Sequence, residues 1–409
     1  MIARRHVFYI EGYDPQGVPG YYRLFRRELD RFRRIWPVAA TLSPPEVDED
    51  GIAARWRATL TGPDWQVSTT YEFLRWDDLI VRDMSLPMWK RVPRALACFA
   101  ENLFNGTILR VFRAAWRFGL FYLYPTLMLM LLVTLPVLLG AVAGFAADSA
   151  GSPLWLAALL GAGLAAGIYV LLRPLADRWF VVQLVDDWLW GNDWANGRRA
   201  DYEARMDEFA RRIVARARAG GADEIVVIGH SAGATTVIPV IARALALDPD
   251  FARAGPPVTV VTMGSALPLA ALHPKSAGVR EAIRRVATEP SLAWVEFQAR
   301  KDIINFHNFD PVGGVGVDAG PQRCNPQVVG VRMRDLLAPE FYARIRWNFF
   351  RVHYQFIMAN YRRAAYDHLM MILGPLPYRE WARDGERALA RFGGDAAVGT
   401  AAPRLAVHA

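Results

Sequence analysis

Glu224-Ile225-Val226-Val227-Ile228-Gly229-His230-Ser231-Ala232-Gly233-Ala234 decides how this chain is read. Glu224 to Ile228 form a short, β-branched run that suits a buried parallel strand. Ala232, Gly233 and Ala234 are small, so a helix that follows packs close. The glycines at 229 and 233 relieve crowding at a sharp strand-to-helix corner, and such a corner lifts the Ser231 hydroxyl above the sheet.

Working outward, the segments alternate between strand and helix patterns. His6 to Ile10 reads as a strand running into the turn cluster Gly12-Tyr13-Asp14-Pro15. A helix from about Val18 to Trp36 follows, with Tyr21, Leu24, Phe25, Phe32 and Ile35 on one face. Ile52 to Leu60 and Trp65 to Phe73, split by Thr61-Gly62-Pro63-Asp64, predict a hairpin at the sheet edge. Beyond the central strand, Val258 to Met263, Trp294 to Gln298 and Val328 to Met333 are further strands. Asp201 to Ala219 is a helix stopped by Gly220-Gly221. The pattern predicts an α/β fold with a doubly wound, mostly parallel sheet.

Two stretches break it. No charged residue stands between Phe118 and Ala147, and after Asp148 to Ser152 another uncharged stretch runs from Pro153 to Leu172. Each exceeds or matches the roughly 20 residues a helix needs to cross a hydrocarbon core. The expected division is therefore 1–117, the first part of the α/β domain; 118–173, a transmembrane hairpin; 174–392, the catalytic part; and 393–409, a flexible Ala/Gly/Pro-rich tail without chemistry. The runs lie far from the start, which reads as a strand and not as a signal peptide. Arg110, Arg113 and Arg117 precede the first run and Arg173 and Arg178 follow the second, while the connecting loop carries only Asp148. That asymmetry places both polar parts on the cytoplasmic side, in an integral protein expected in a bacterial inner membrane.

The 409 residues carry a net charge of +8 and are 53% hydrophobic. The positive charge is arginine spread along the whole chain, with Lys90, Lys275 and Lys301 the only lysines, so it argues for a basic surface beside anionic lipid and against a nucleic-acid partner. Cys98 and Cys324 lie too far apart in sequence to suggest a disulfide framework or a metal site.

The Gly229-His230-Ser231-Ala232-Gly233 motif in its strand–turn–helix setting resembles the nucleophile elbow of lipases and esterases of the α/β-hydrolase superfamily. The resemblance implies a membrane-anchored serine hydrolase that cleaves a carboxylic ester or related acyl bond, with lipid among the candidate substrates and no cofactor or metal. It places an acid and then a histidine downstream of Ser231. Asp302, after the strand that starts at Trp294, is the first choice of acid; Asp310, in a Phe-Asp-Pro turn, is its rival, and Asp318 stands behind both. His353 is the expected base, just ahead of an apolar, helix-like run. His368 is the alternative and falls well inside or near the end of that run. The oxyanion donors expected are the backbone N–H of Ala232 and one from the Gly12-Tyr13 loop. Here the sequence departs from the family, since Glu11-Gly12 stands where a His-Gly pattern is usual. The competing reading is a catalytically inactive membrane scaffold on a hydrolase fold. Oligomeric state is open.

Overall fold

The computed structural model describes residues 1–392; the expected tail, 393–409, lies outside the described residues. Among them is a nine-stranded mixed sheet with spatial order β2-β4-β5-β1-β6-β7-β8-β9 and β3 paired to the outer side of β4. The first strand, β1 (Arg4–Ile10), is followed by α1 (Gly17–Phe32), and the chain then crosses to the far edge for β2 (Ala39–Leu42) and β3 (Glu46–Val47). The next two strands, β4 (Ala53–Thr61) and β5 (Gln66–Leu74), form an antiparallel hairpin, and β5 returns parallel to β1. The hairpin therefore lies one strand in from the edge expected of it: β2 and β3 cover β4, a pairing invisible in sequence because both strands are very short.

From β5 the chain leaves the sheet for α2 (Asp77–Met84), α3 (Met88–Phe104), α4 (Thr107–Ala114) and two long helices, α5 (Trp116–Ser149) and α6 (Leu154–Arg178). These are 34 and 25 residues long, each with a core whose mean hydropathy exceeds 2, and are long and apolar enough to cross a membrane. The first extends slightly beyond both ends of its uncharged stretch, and the second starts inside its own, at Leu154, and runs past Leu172 to Arg178. Small residues let the two backbones touch. A β-carbon on Gly140 would lie 2.4 Å from the Gly161 carbonyl oxygen, and one on Gly144 3.1 Å from that of Ala157. Such spacing, Gly140-xxx-Gly144 against Ala157-xxx-Gly161, is how helices approach closely without a hydrophobic drive between them.

The chain returns through α7 (Val181–Ala195) and α8 (Ala200–Ala219), then threads β6 (Glu224–His230) between β1 and β7. After α9 (Ala232–Leu247) come β7 (Val258–Met263), α10 (Leu267–Leu272), α11 (Ala277–Ala287), β8 (Leu292–Gln298) and the short β9 (Gln327–Gly330). These strands run parallel, β6 beside β7, β7 beside β8 and β8 beside β9. One face, with Val7, Tyr9, Val226 and Ile228, packs against α1 and the last sixty residues described; the other, with Phe8, Ile10, Ile225 and Val227, packs against α8, α9 and α11. Burial of every side chain in β6 explains why it reads as a continuous run without alternation.

The C-terminal part is α12 (Met333–Leu336), α13 (Pro339–Ile345), α14 (Phe349–His353), α15 (His368–Leu373), α16 (Tyr378–Arg383) and α17 (Gly385–Ala390). The run after His353 is not one helix. A single turn ends at Ile357, an irregular stretch follows, and α15 starts anew at His368, capped by the Asp367 carboxylate on the Met370 N–H. Asn360 holds that stretch by donating to the Tyr366 carbonyl at 2.6 Å.

Candidate active site

Ser231 sits between the last residue of β6 and the first of α9 with φ 59° and ψ −123°. A non-glycine residue there carries strain of order 1–3 kcal/mol, which persists only where the surroundings enforce it. They do so through close approach. A β-carbon on Gly229 would lie 2.3 Å from the Gly233 carbonyl oxygen, and one on Gly233 2.1 Å from that of Ile10. Only glycine fits at either position. Ser231 is tied to the next strand by its N–H, which donates to the Met263 carbonyl at 3.0 Å.

His353, at the end of α14, and Asp302, in the loop beyond β8, meet through Nδ1 and Oδ2 at 2.7 Å, both buried. β8 ends at Gln298, so Asp302 lies four residues past the strand. A turn fixes it: Oδ1 accepts from the Ile304 N–H at 2.9 Å, and Asn305 donates to the Asp302 and Ala299 carbonyls. With Nδ1 engaged, the remaining ring nitrogen of His353, Nε2, is buried without a hydrogen-bond partner. No hydrogen bond joins Nε2 to Ser231 Oγ, but three relationships place His353 beside the residues that flank Ser231. The His230 ring lies 4.5 Å from the His353 ring, centroid to centroid, and His230 Nε2 is 3.3 Å from the His353 carbonyl oxygen. Gly264, directly after the residue that binds the Ser231 N–H, has φ +54°, and a β-carbon on it would lie 2.7 Å from His353 Cε1. Burial and then the neighbouring His353 push the His230 pKa well below the usual range, so His230 stays neutral.

The rival residues lie elsewhere. Asp310 is bound by Arg323 through two hydrogen bonds of 2.6 and 2.7 Å and accepts from the Val312 and Gly313 N–H groups. It closes a turn, as its Asp-Pro setting suggests. Asp318 accepts from the Gly320 N–H in another turn. His368 is buried at the start of α15, its Nδ1 without a partner, and burial pushes its pKa down to about 3.

The loop after β1 also approaches the serine. A β-carbon on Gly12 would lie 3.0 Å from Ser231 Cβ and 3.4 Å from its Oγ. Ala232 is the first residue of α9, where a backbone N–H has no intrahelical acceptor. Tyr13 packs edge-on to Trp76 at 5.8 Å, and its carbonyl accepts from Gln183 at 2.8 Å. Glu11 is fully buried with neither carboxyl oxygen hydrogen-bonded. Burial, followed by the charges of Asp77 and Asp14, pushes its pKa well up and keeps it neutral.

A small cavity of about 50 Å³ lies beside the corner, lined by Ala232 and Thr235 of α9, Ala266, and Asp187, Trp188 and Trp190 of α7. α7 had no place in the sequence reading, although its aromatic run, Trp188, Trp190 and Trp194, was the available signal. The Arg91–Asp186 ion pair, at 2.8 Å and buried, ties α7 to α3. The carboxyl of Asp187, desolvated and next to Asp186, is pushed up to about 8. Among the described residues no group of three or more His, Cys, Asp or Glu is arranged to hold a metal ion. Comparison with known proteins finds no family model, curated protein or solved structure that matches the chain.

Proposed function

We propose that this chain is a membrane-anchored serine hydrolase of α/β-hydrolase type, with Ser231 as nucleophile, His353 as general base and Asp302 as the acid that orients it. The observation that carries this reading is the buried Asp302–His353 pair, with Nε2 unspent, set against a serine held at positive φ on a strand-to-helix corner. In that arrangement Asp302 keeps the proton on Nδ1. Nε2 then takes the hydroxyl proton as Ser231 Oγ bonds to the acyl carbonyl, and returns it to the departing alkoxide. Water, activated by the same nitrogen, releases the acid. The Ala232 N–H and a donor from the Gly12 loop stabilise the oxyanion. A loop joining a strand to the first helix supplies the second donor in such hydrolases, and Gly12 stands between β1 and α1.

Membrane anchoring is supported by the surface of the two long helices. Leu138, Phe145, Leu154 and Leu171 are 61 to 74% exposed, which is unfavourable in water and neutral in lipid. Two spans return the chain to the side it left, as β1 and β6 require in order to pair. With flanking arginines at both ends, that side is the cytoplasm of a bacterial inner membrane. The substrate that fits this setting is an acyl ester, with lipid esters favoured, since Tyr122 of α5 also lines the cavity beside Ala232.

The test is hydrolysis of p-nitrophenyl esters of graded chain length by the detergent-solubilised full chain. Turnover that disappears in Ser231→Ala supports the proposal. Absence of turnover by the intact chain across the series would favour the inert scaffold.

A further inference from the structure

An open cleft of about 790 Å³ lies at the foot of α5, separate from the cavity beside Ala232. Its walls include Trp116 and Arg117 of α5, Arg300 and Lys301 of the loop after β8, and Trp347 between α13 and α14. Positive charge collects here in excess of the acid beside it. Asp335 pairs with Arg332 and Arg334, but among the described residues Arg117, Arg300 and Lys301 form no ion pair. Two of these, and the neighbouring Arg346, lie on aromatic faces: Lys301 Nζ is 4.2 Å from the centre of the Trp347 ring, Arg346 is 5.5 Å from the same ring, and Arg117 is 5.4 Å from that of Trp116. Burial, and after it the charges of Arg346 and Arg117, lower the Lys301 pKa. An anion in the cleft would relieve the repulsion among these cations and supply the opposite charge they lack.

Depth identifies which anion. Arg117 immediately precedes the uncharged stretch of α5, so on the membrane reading, on which this inference rests, the cleft lies level with lipid headgroups. Trp116 and Trp347 are 61 and 67% exposed at its rim, as tryptophans are at a membrane–water boundary, and Leu120, 53% exposed, continues the wall toward the apolar side. We propose that this cleft binds the phosphate headgroup of an anionic phospholipid, with the first acyl carbons against Leu120. Lys301 adjoins Asp302, and Trp347 lies just before the helix that ends in His353, so the occupant shares backbone with the site.

The test is native mass spectrometry of the detergent-solubilised full chain with phosphatidylglycerol, phosphatidylcholine or glycerol 1-phosphate. Phosphatidylglycerol adducts should survive at roughly tenfold lower lipid concentration than phosphatidylcholine adducts, since each interfacial cation contributes to anionic-lipid attraction. Arg117→Gln with Lys301→Gln should abolish the preference; Arg117→Lys with Lys301→Arg should keep it, which separates charge from misfolding. Equal retention of the two lipids, or an unchanged preference in the Gln pair, overturns the site. Glycerol 1-phosphate binding as tightly as phosphatidylglycerol assigns the cleft to a soluble anion and overturns the lipid. Release of the chain from membranes by alkaline carbonate refutes the membrane reading itself, whereas a retained chain without lipid preference refutes only the cleft.

Discussion

Gly264 and His353 share a space that no other residue at 264 could leave intact: a β-carbon there would stand 2.7 Å from His353 Cε1 and 3.0 Å from Nδ1, at a φ of +54°. Gly264→Ala must either push the imidazole away from Asp302 or strain the backbone after β7. We expect kcat to fall by roughly 10²-fold, as small misplacements of reacting groups do, with a modest loss of stability. Steady-state kinetics and thermal melting separate the two effects, and a variant of unchanged kcat would remove Gly264 from the positioning of the base.

The two aspartates should divide cleanly. Asp302→Asn leaves the His353 tautomer unsupported and should lower kcat by about 10³–10⁴-fold. Asp310→Asn removes the charge and one of the two acceptors that Arg323 binds, and should cost about 1–3 kcal/mol of stability with kcat little changed. The reverse ranking, measured on the same ester, would move the acid to Asp310.

Helix contact between α5 and α6 depends on which glycine is enlarged. Gly140→Leu should drive the helices apart, since even a β-carbon would meet the Gly161 carbonyl oxygen at 2.4 Å. Gly163→Leu, with nothing within 4 Å of its β-carbon, should be tolerated. Melting temperatures in detergent test this, and equal losses for the two variants would contradict the packing described.

Glu296 gives a pH signature. It is buried in β8 beside Thr262, and burial pushes its carboxyl from 4.5 up to about 8. Since the folded state binds this proton more tightly than the unfolded chain, the stability linked to it is full below about pH 4.5 and is lost as pH rises toward 8. Glu296→Gln should therefore raise Tm by about 2–4 °C at pH 8 and by much less at pH 5. An equal shift at both values would indicate a packing effect.

The sheet and its corner were legible because the signals are local. β-branched runs mark β6 and β7, and Gly229 and Gly233 mark the close contacts that bend the chain at Ser231. The place of Asp302 just past β8 was legible from the strand-like run that starts at Trp294. What sequence hides is long-range: the crossing of β2 to the outside of β4, the break in helix after His353 that puts His368 at a helix start, and α7 beside the cavity. Glu11 shows the same limit. Its position was read as a departure from a family pattern, but its burial, with no partner for either carboxyl oxygen, follows only from the packing of β1, Trp76 and α9 around it.

Ser231 as the reacting atom's owner is tested most directly by labelling membranes that contain the full chain with a fluorophosphonate probe and mapping the adduct by peptide mass spectrometry. The account predicts one adduct on Ser231, absent in Ser231→Ala and strongly slowed in His353→Ala. Failure of the folded wild-type chain to label, or an adduct on any other residue that persists in Ser231→Ala, would contradict it.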